Sequence, residues 1–273
     1  MTTWRSDQEP DLPKITVTGW LRVIFRGAVL ITLILICLAA LLMLRLVERP
    51  FFGQARPWSP FMTQIVCRGA FVILGIGFSS EGKPMRHPGG AVANHSSWLD
   101  IFALNARART FFVSKSEVAD WPGIGMLARA TGTVFIARRS QDAKAQKEVF
   151  ETRLQAGHQL MFFPEGTSTD GLRVLRFKST LFAAFFNQNL GADLWIQPVT
   201  LSYSAPRHLH QRFYGWWGDM DFAPHLLAVL AASPQGRVHI MYHPPLRVRD
   251  FADRKALALA CGEKVREGFE REA

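Results

Sequence analysis

Polar and apolar positions divide the chain into two regimes. From Gly27 to Leu44 eighteen residues pass without a charge or an amide, bracketed by Arg22 and Arg26 before and by Arg45 and Arg49 after. A helix of that length rises about 27 Å, just enough for a hydrocarbon core of roughly 30 Å, so the run is expected to sit in a membrane. It is expected to be retained rather than cleaved as a secretory signal: 26 residues precede it and no small-residue cleavage site follows. A second apolar stretch, Phe61 to Phe78, carries Gln64 and Arg68 near its middle. A charge facing lipid there costs about 2.5 kcal/mol or more, so this stretch is expected to lie at the interface or against the first helix. Arg flanks both ends of the first run, and the positive-inside rule therefore assigns no orientation. A true span and a helical hairpin dipping into one leaflet both fit.

After Pro84 the pattern changes to short β-branched or aromatic runs alternating with longer amphipathic stretches. Strands are predicted at Ala91–Ala93, Thr110–Val113, Thr133–Ala137, Gln159–Phe163, Trp195–Leu201 and Val238–Tyr242. Helices are predicted at Trp98–Ala106, Gly123–Ala130, Asp142–Ala156 and Lys178–Gln188. This alternation predicts an α/β fold with a largely parallel central sheet flanked by helices, preceded by the N-terminal apolar helix or hairpin. The expected division is a membrane-associating region, 1–84, and a globular domain, 85–273. Ser204 to Gln235 breaks the rhythm and sets Phe213, Tyr214, Trp216 and Trp217 near Arg207 and Arg212. It reads either as a headgroup-level segment or as a loop packed by its own aromatics. Phe251 to Glu270 reads as a charged surface helix that closes the domain.

Composition narrows the class. With 273 residues, 48% of them hydrophobic, and 32 Lys and Arg against 22 Asp and Glu, the chain is neither disordered nor a small disulfide scaffold. Its charge of +10 attracts anions, but phospholipid, an acidic carrier protein, phosphorylated cofactors and nucleic acid all satisfy that. Cys37, Cys67 and Cys261 lack the short spacing that metal sites and disulfide frameworks need, so a reducing compartment and no metal are expected.

Two constellations carry candidate chemistry in the alternating region. In Asn94-His95-Ser96-Ser97-Trp98-Leu99-Asp100 an imidazole precedes a carboxylate by five residues. On one continuous helix the two would stand about 140° apart. A shared site therefore needs His95 in the turn before the helix, with Ser96 or Ser97 as N-cap and Asp100 in the first turns. The carboxylate then orients the ring, and the second ring nitrogen is left to remove a proton from an alcohol. Both serines are better explained as caps than as nucleophiles, and no Gly-x-Ser-x-Gly elbow occurs. The second constellation runs from Phe162 through Pro164, Glu165, Gly166, Thr167, Ser168 and Asp170 to Gly171: a strand stopped by proline and followed by a polar loop whose Glu165 and Thr167 can offer oxygens to hydroxyl or ammonium groups. Arg138-Arg139 and Arg176-Phe177-Lys178 add cations near strand ends, which suit an anionic ligand and equally suit the solvated surface of a basic chain.

The series His95-x4-Asp100, Phe135-Ile136-x-Arg138, Phe163-Pro164-Glu165-Gly166-Thr167 and Gln197-Pro198-Val199, in that order, resembles the four motif blocks of the glycerolipid acyltransferase family, whose archetype is 1-acyl-glycerol-3-phosphate acyltransferase. Lys115, Trp121-Pro122-x2-Gly125 and Arg176-Phe177-Lys178 also resemble family positions, and the likeness covers roughly 86–246. It implies transfer of a fatty acyl group from a thioester, on coenzyme A or acyl carrier protein, to a lysolipid hydroxyl, with no acyl-enzyme and no resident cofactor. By the same likeness His95 is the general base and Asp100 its partner. Glu165, Gly166 and Thr167 shape the acceptor pocket, Arg138 binds an anionic group of the acceptor, Ser168 and Lys178 are further substrate-binding positions, and Lys115 stabilises charge on the thioester carbonyl oxygen. Phosphatidic-acid-forming members continue Glu-Gly-Thr with Arg, whereas this chain has Ser168. The loss of that charge-assisted bond is worth about 1.5–3 kcal/mol to a phosphate. The run Glu165 to Gly171, with Phe177-Lys178-Ser179, looks more like the branch that acylates lyso-ornithine lipid, an aminolipid. There Asp170 is expected to meet the acceptor's ammonium group.

The expectation is thus a membrane-bound O-acyltransferase of a lyso-aminolipid, with membrane lipids and a thioester donor as partners and no nucleic acid. It is expected at the bacterial cytoplasmic membrane, with its site facing the cytoplasm. The alternatives are acylation of lysophosphatidic acid, hydrolysis of the thioester by the same His-Asp pair, and a non-enzymatic basic module that only binds membranes or nucleic acid.

Overall fold

The structure, a computed structural model, describes residues 3–6, 12–136, 143–186 and 193–272. Helix α1 (Val17–Phe52) starts at Thr16, whose side chain accepts the Gly19 N–H at 3.1 Å, and continues for 36 residues, well beyond the apolar run that predicted it. Most of its apolar side chains, Leu21, Ile24, Phe25, Ile31, Leu35 and Ile36 among them, are exposed. It is long and apolar enough to cross a membrane. Helix α2 (Ser59–Leu74) packs beside it and ends where Gly75 turns left-handed at φ +76°. The helix expected to reach Phe78 therefore stops four residues short, and Phe78 joins the first strand. Gln64 is buried, and Arg68 Nε donates to the Ala106 carbonyl at 2.7 Å. Gln64 thus faces protein, while Arg68 stays exposed and commits its Nε to a backbone carbonyl of the domain, which lowers the cost of a charge in this stretch.

The strands are β1 (Gly77–Glu81), β2 (Gly89–Ala93), β3 (Phe111–Lys115), β4 (Val134–Ile136), β5 (Leu160–Phe162), β6 (Trp195–Ser204), β7 (Arg237–Tyr242) and β8 (Leu246–Arg247). Among the described residues they form one sheet in the order β1-β7-β6-β2-β5-β3-β4, with β8 also on β6. Strands β6, β2, β5, β3 and β4 run parallel, whereas β7 and β8 are antiparallel to β6 and β1 follows β7. The largely parallel sheet predicted from strand and helix alternation is present. β1 lies ahead of the compositional break at Pro84, so the sheet starts earlier than the pattern implied. β2 and β5 are buried along their whole length, as centrally placed parallel strands covered on both faces must be.

Helices cover both faces. One face carries α2, α3 (Leu99–Arg107) and α6 (Phe222–Ala231), whose Phe71, Leu74, Leu104 and Val229 share a core with Val199, Leu201 and Ile240 of the sheet. The other carries α5 (Ala143–Gln155), a 3-10 helix at Leu181–Phe186, and α7 (Arg254–Glu272), with Phe150, Leu154, Phe182, Leu257 and Val265 against Phe162 and Ile196. Helix α4 (Ile124–Thr131) follows β3 at the edge of the sheet. Two expectations are corrected. The helix predicted over Lys178–Gln188 is a six-residue 3-10 helix, Leu181–Phe186, within the described residues, with Asn187 and Gln188 outside them. The irregular segment from Ser204 contains α6, whose Phe222, Leu226, Leu227 and Leu230 were submerged in a run too uniformly apolar to show a helical period. Ala137 and Asp142, predicted ends of a strand and a helix, also lie outside the described residues.

The arginines before the apolar run hold α1 to the domain. Arg22 Nη1 donates to the Ala231 carbonyl at 2.9 Å, and Arg26 Nη1 to those of Leu230 and Ala232, both at 2.8 Å. These are carbonyls at the end of α6, where a helix leaves acceptors unpaired and its dipole favours cations. We predict that Arg26→Met lowers stability by about 1.5–3 kcal/mol, the worth of hydrogen bonds to a charged group. Thermal unfolding of the detergent-solubilised protein checks this, and an unchanged midpoint would show that the clamp carries no weight.

Candidate active site

The parallel strands end at one edge of the sheet, and the sequence-predicted residues gather there. β2 ends at Ala93, and Asn94 continues its pairing with side-chain groups: its amide donates to the Leu201 carbonyl and accepts the Leu201 N–H, both at 2.8 Å. This holds the chain in place as it leaves the sheet. His95 then lies in the turn before α3, with Asp100 in the helix's first turn. The helix begins at Leu99 rather than at either serine, because Asp100 itself satisfies the turn. Its Oδ2 accepts the N–H groups of Ser96 at 2.8 Å and Ser97 at 3.0 Å, together with His95 Nδ1 at 2.7 Å. Its Oδ1 accepts the Tyr203 hydroxyl at 2.7 Å. Asp100 is wholly buried, whereas 20% of the His95 side chain remains exposed.

A carboxylate that already accepts two backbone N–H groups has no proton to offer, so His95 Nδ1 donates and Nε2 keeps its lone pair. The ring stacks on Phe163, 4.1 Å between centroids and 12° between planes, which fixes its remaining freedom. An imidazole oriented by a buried carboxylate, with its far nitrogen toward the accessible side, can take a proton from a bound hydroxyl. Ser96 and Ser97 are 1% and 0% exposed, so neither hydroxyl stands where an incoming substrate would meet it.

The second constellation folds against the first. Pro164 stops β5, and Gly166 turns at φ +73°, a region an L side chain seldom enters, with its N–H donated to Phe163 O at 3.0 Å. This brings Glu165 back to His95, whose backbone N–H donates to Glu165 Oε1 at 3.1 Å. Glu165 is buried, and its Oε2 has no hydrogen-bond partner among the described residues. Burial pushes its carboxyl up to about 8, reinforced by the negative charge of Asp100 and opposed by the N–H groups of His95 and Leu175 and the charge of Lys178. Thr169 N–H donates to the His95 carbonyl at 2.9 Å, which ties the two loops together.

Thr167 and Ser168 follow at the half-buried rim, where the Thr167 hydroxyl accepts the Trp4 N–H at 3.2 Å and donates to Ser168 O. The N-terminal segment thus lies over the loop, with Trp4 packed against Trp217 and beneath the Arg173 guanidinium. Asp170 departs from expectation. It is wholly buried and ion-paired with Arg173 and Arg212, each at 3.1 Å. Its carboxylate is therefore engaged in holding the loop to the segment after β6, where it is not open to an acceptor's ammonium group. Lys115 ends β3, two strands from β2 along the same edge. Lys178, half-buried, donates its backbone N–H to Pro164 O at 2.9 Å. Arg138 and Arg139 lie outside the described residues.

Three contributors were not read from the sequence. Tyr203 lies 103 residues from Asp100, and only the pairing of β6 with β2 brings them together. Burial and the Asp100 charge hold the Tyr203 phenol well above its ordinary range, so it stays a donor. The segment read as headgroup-level or self-packed is part of the site's wall: Phe213, Tyr214 and Trp217 are buried, and Trp216 N–H donates to Ser96 O at 2.8 Å. His225 of α6, which burial pushes down to about 4, is neutral. It accepts the Trp98 indole N–H on Nδ1 at 2.9 Å and donates from Nε2 to Phe213 O at 3.1 Å.

An eight-stranded, mostly parallel sheet with a His-Asp pair beyond its carboxyl edge and a Pro-Glu-Gly-Thr turn beside it defines a class: the chain belongs to the acyltransferase family, whose model matches residues 79–202. It is similar to the lyso-ornithine lipid O-acyltransferase of Rhodobacter capsulatus, with 53% identity over 97% of this chain and 96% of that one. The enzyme of the same name from Brucella abortus is 36% identical over 78% of this chain and 82% of that one. Among solved structures, the 1-acyl-sn-glycerophosphate (LPA) acyltransferase PlsC from Thermotoga maritima matches with a TM-score of 0.56, covering 90% of this chain and 97% of that one, at 21% identity. That match is one of fold.

Two predictions follow from the geometry. Glu165 is neutral in the fold but ionises above about 4.5 once unfolded. Stability is therefore fully present below that value and declines as pH rises toward about 8, by up to roughly 1.4 kcal/mol per pH unit. Glu165→Gln should remove this slope, so that denaturant unfolding between about pH 5 and pH 8 shows the variant gaining on the wild type as pH rises. Parallel curves would mean that Glu165 ionises alike in both states. Tyr203→Phe removes one donor from a buried carboxylate and should lower turnover about tenfold while both KM values hold. Steady-state kinetics give the answer, and full turnover would show that Oδ1 needs no partner.

Proposed function

We propose that the protein is a membrane-bound O-acyltransferase that moves a fatty acyl group from an acyl thioester to the hydroxyl of a lyso-aminolipid, lyso-ornithine lipid or a close analogue. The observation that carries this reading is the 2.7 Å bond from His95 Nδ1 to a saturated Asp100, with the remaining ring nitrogen toward the accessible side. In the proposed reaction His95 Nε2 takes the hydroxyl proton as the acceptor oxygen attacks the thioester carbonyl carbon. The tetrahedral intermediate then collapses, the carbon–sulfur bond breaks, and the leaving thiolate recovers the proton from the imidazolium. Asp100 holds the ring and balances its transient charge. The Glu165 carboxyl, kept neutral by burial, has Oε2 available to hydrogen-bond the acceptor. No cofactor is required, since the donor enters as co-substrate on coenzyme A or acyl carrier protein.

The acceptor assignment rests on Ser168, where phosphate-binding members carry an arginine, and on the 53% identity to an enzyme named for lyso-ornithine lipid. The reading puts α1 in the bacterial inner membrane and the site at its cytoplasmic face, where thioester donors are made; the length and apolarity of α1 and its clamp to the domain support membrane attachment. The test supplies purified protein with acyl donor and, separately, lyso-ornithine lipid and lysophosphatidic acid. Turnover should favour the aminolipid, and His95→Ala should lose at least about a hundredfold while remaining folded. Equal or better use of the phosphate acceptor would refute the acceptor, and free fatty acid without acylated lipid would refute the transfer.

A further inference from the structure

Beyond the site loop, Arg176, Lys178, Lys255 and Arg266 converge on a cleft of about 530 Å³ between the chain that follows the loop and one face of α7. Lys255 and Leu259 are four residues apart and Arg266 seven further on, so all three share that face. Phe177 and the half-exposed Leu259 supply apolar wall. None of the four cations forms an ion pair within the described residues, and no carboxylate lines the cleft. Four like charges around a concavity repel one another and raise the local concentration of anions. The volume falls within the range of about 300–1,000 Å³ typical of small-molecule sites. The lining does not include His95 or Glu165, yet Lys178 belongs to both regions: its N–H holds Pro164 O, and its charge acts on Glu165.

We propose that this cleft holds the phosphate of the 4′-phosphopantetheine arm through which the acyl donor carries its thioester. The inference rests on the thioester donor of the proposed function. Of the two substrates in that reaction, the aminolipid acceptor has no phosphate, whereas either donor has one, a pantetheine arm away from the reacting sulfur. A phosphate seated among Lys255, Arg266 and Arg176 leaves the arm to run past Lys178 toward His95. Coenzyme A and a carrier protein's prosthetic group share this chemistry and differ in what lies beyond the phosphate.

The test compares acyl-pantetheine with acyl-4′-phosphopantetheine as donors for the full-length protein in phospholipid-free detergent. The phosphate should lower donor KM about tenfold or more. In the variant carrying Lys255→Ala and Arg266→Ala that advantage should vanish, with kcat and acceptor KM unchanged. A wild type indifferent to the phosphate, or a variant that loses affinity for both donors equally, would overturn the proposal. Equilibrium binding of coenzyme A, holo-carrier protein and apo-carrier protein needs no acceptor and separates this inference from the proposed function. Tighter binding of coenzyme A or of holo- over apo-carrier, lost in the variant, sustains the cleft even where lyso-ornithine lipid is not acylated. Equal binding of holo- and apo-carrier, without binding of coenzyme A, overturns it.

Discussion

A carboxylate taken fully out of water is tolerated only when its lone pairs are met, and Asp100 meets that condition with four donors from two separate parts of the chain. Two are backbone N–H groups of the turn that Asp100 itself closes, one is the imidazole of His95, and one is the phenol of Tyr203 at the far end of β6. The arrangement specifies geometry because none of the four is dispensable to a buried charge. Satisfying Ser96 and Ser97 fixes the turn, fixing the turn places His95 within reach, and the Tyr203 bond keeps α3 in register with β6. Asp100 thereby stabilises the exit of β2 and orients the ring proposed as the base, so structural and chemical demands on it coincide.

The neighbouring Glu165 reaches the opposite electrostatic outcome under similar burial. Its Oε1 accepts a backbone N–H, as Asp100 does, but among the described residues no cation or hydroxyl reaches its Oε2, and desolvation prevails over the hydrogen bonds. Two carboxyls beside one imidazole therefore play different parts: the one with every lone pair met is suited to hold the ring, and the unsaturated one, whose proton burial favours keeping, can donate as well as accept. Supplying Glu165 with the cations that Asp170 has would turn it into a second anion and deepen the negative field at His95. The placement of Arg173 and Arg212 on Asp170 is thus part of what keeps the site asymmetric.

Much of this arrangement is legible locally. Strand and helix alternation after Pro84 gives the parallel sheet, and the five-residue spacing of His95 and Asp100 makes sense only with the histidine in a turn, where it lies. The details that escaped are non-local or masked by uniform composition. Tyr203 carries no mark in its own segment, since its role depends on the neighbourhood of β2 and β6. Asp170 in its polar loop reads as an acid that meets the acceptor's ammonium group, and only the return of Arg212 from the segment after β6 shows it to be buried in ion pairs. The serines looked like helix caps by residue type, and Ser97 Oγ does accept the Leu99 N–H at 3.3 Å, while the Asp100 side chain takes the serines' own N–H groups and the helix starts at Leu99. The apolar run of α6 offered no polar stripe, because that helix is packed by the sheet on one side and by α1 on the other.

That last packing has a mechanical consequence. Arg22 and Arg26 fasten the first turns of α1 to the carbonyl end of α6. From α6, His225 accepts the indole N–H of Trp98, the residue immediately before α3, and the same imidazole ties Phe213 into the wall that reaches Ser96 through Trp216. A helix exposed along its apolar length is therefore connected to the turn bearing His95 by hydrogen bonds among buried and half-buried groups. Were the domain tethered loosely, the exposed edge of His95 would sample orientations away from the bilayer, and a lysolipid would have to leave its membrane to be met. Attachment near the first turns of α1 fixes the site relative to that helix, which is what the proposed acylation of a membrane-resident hydroxyl would require of an anchor.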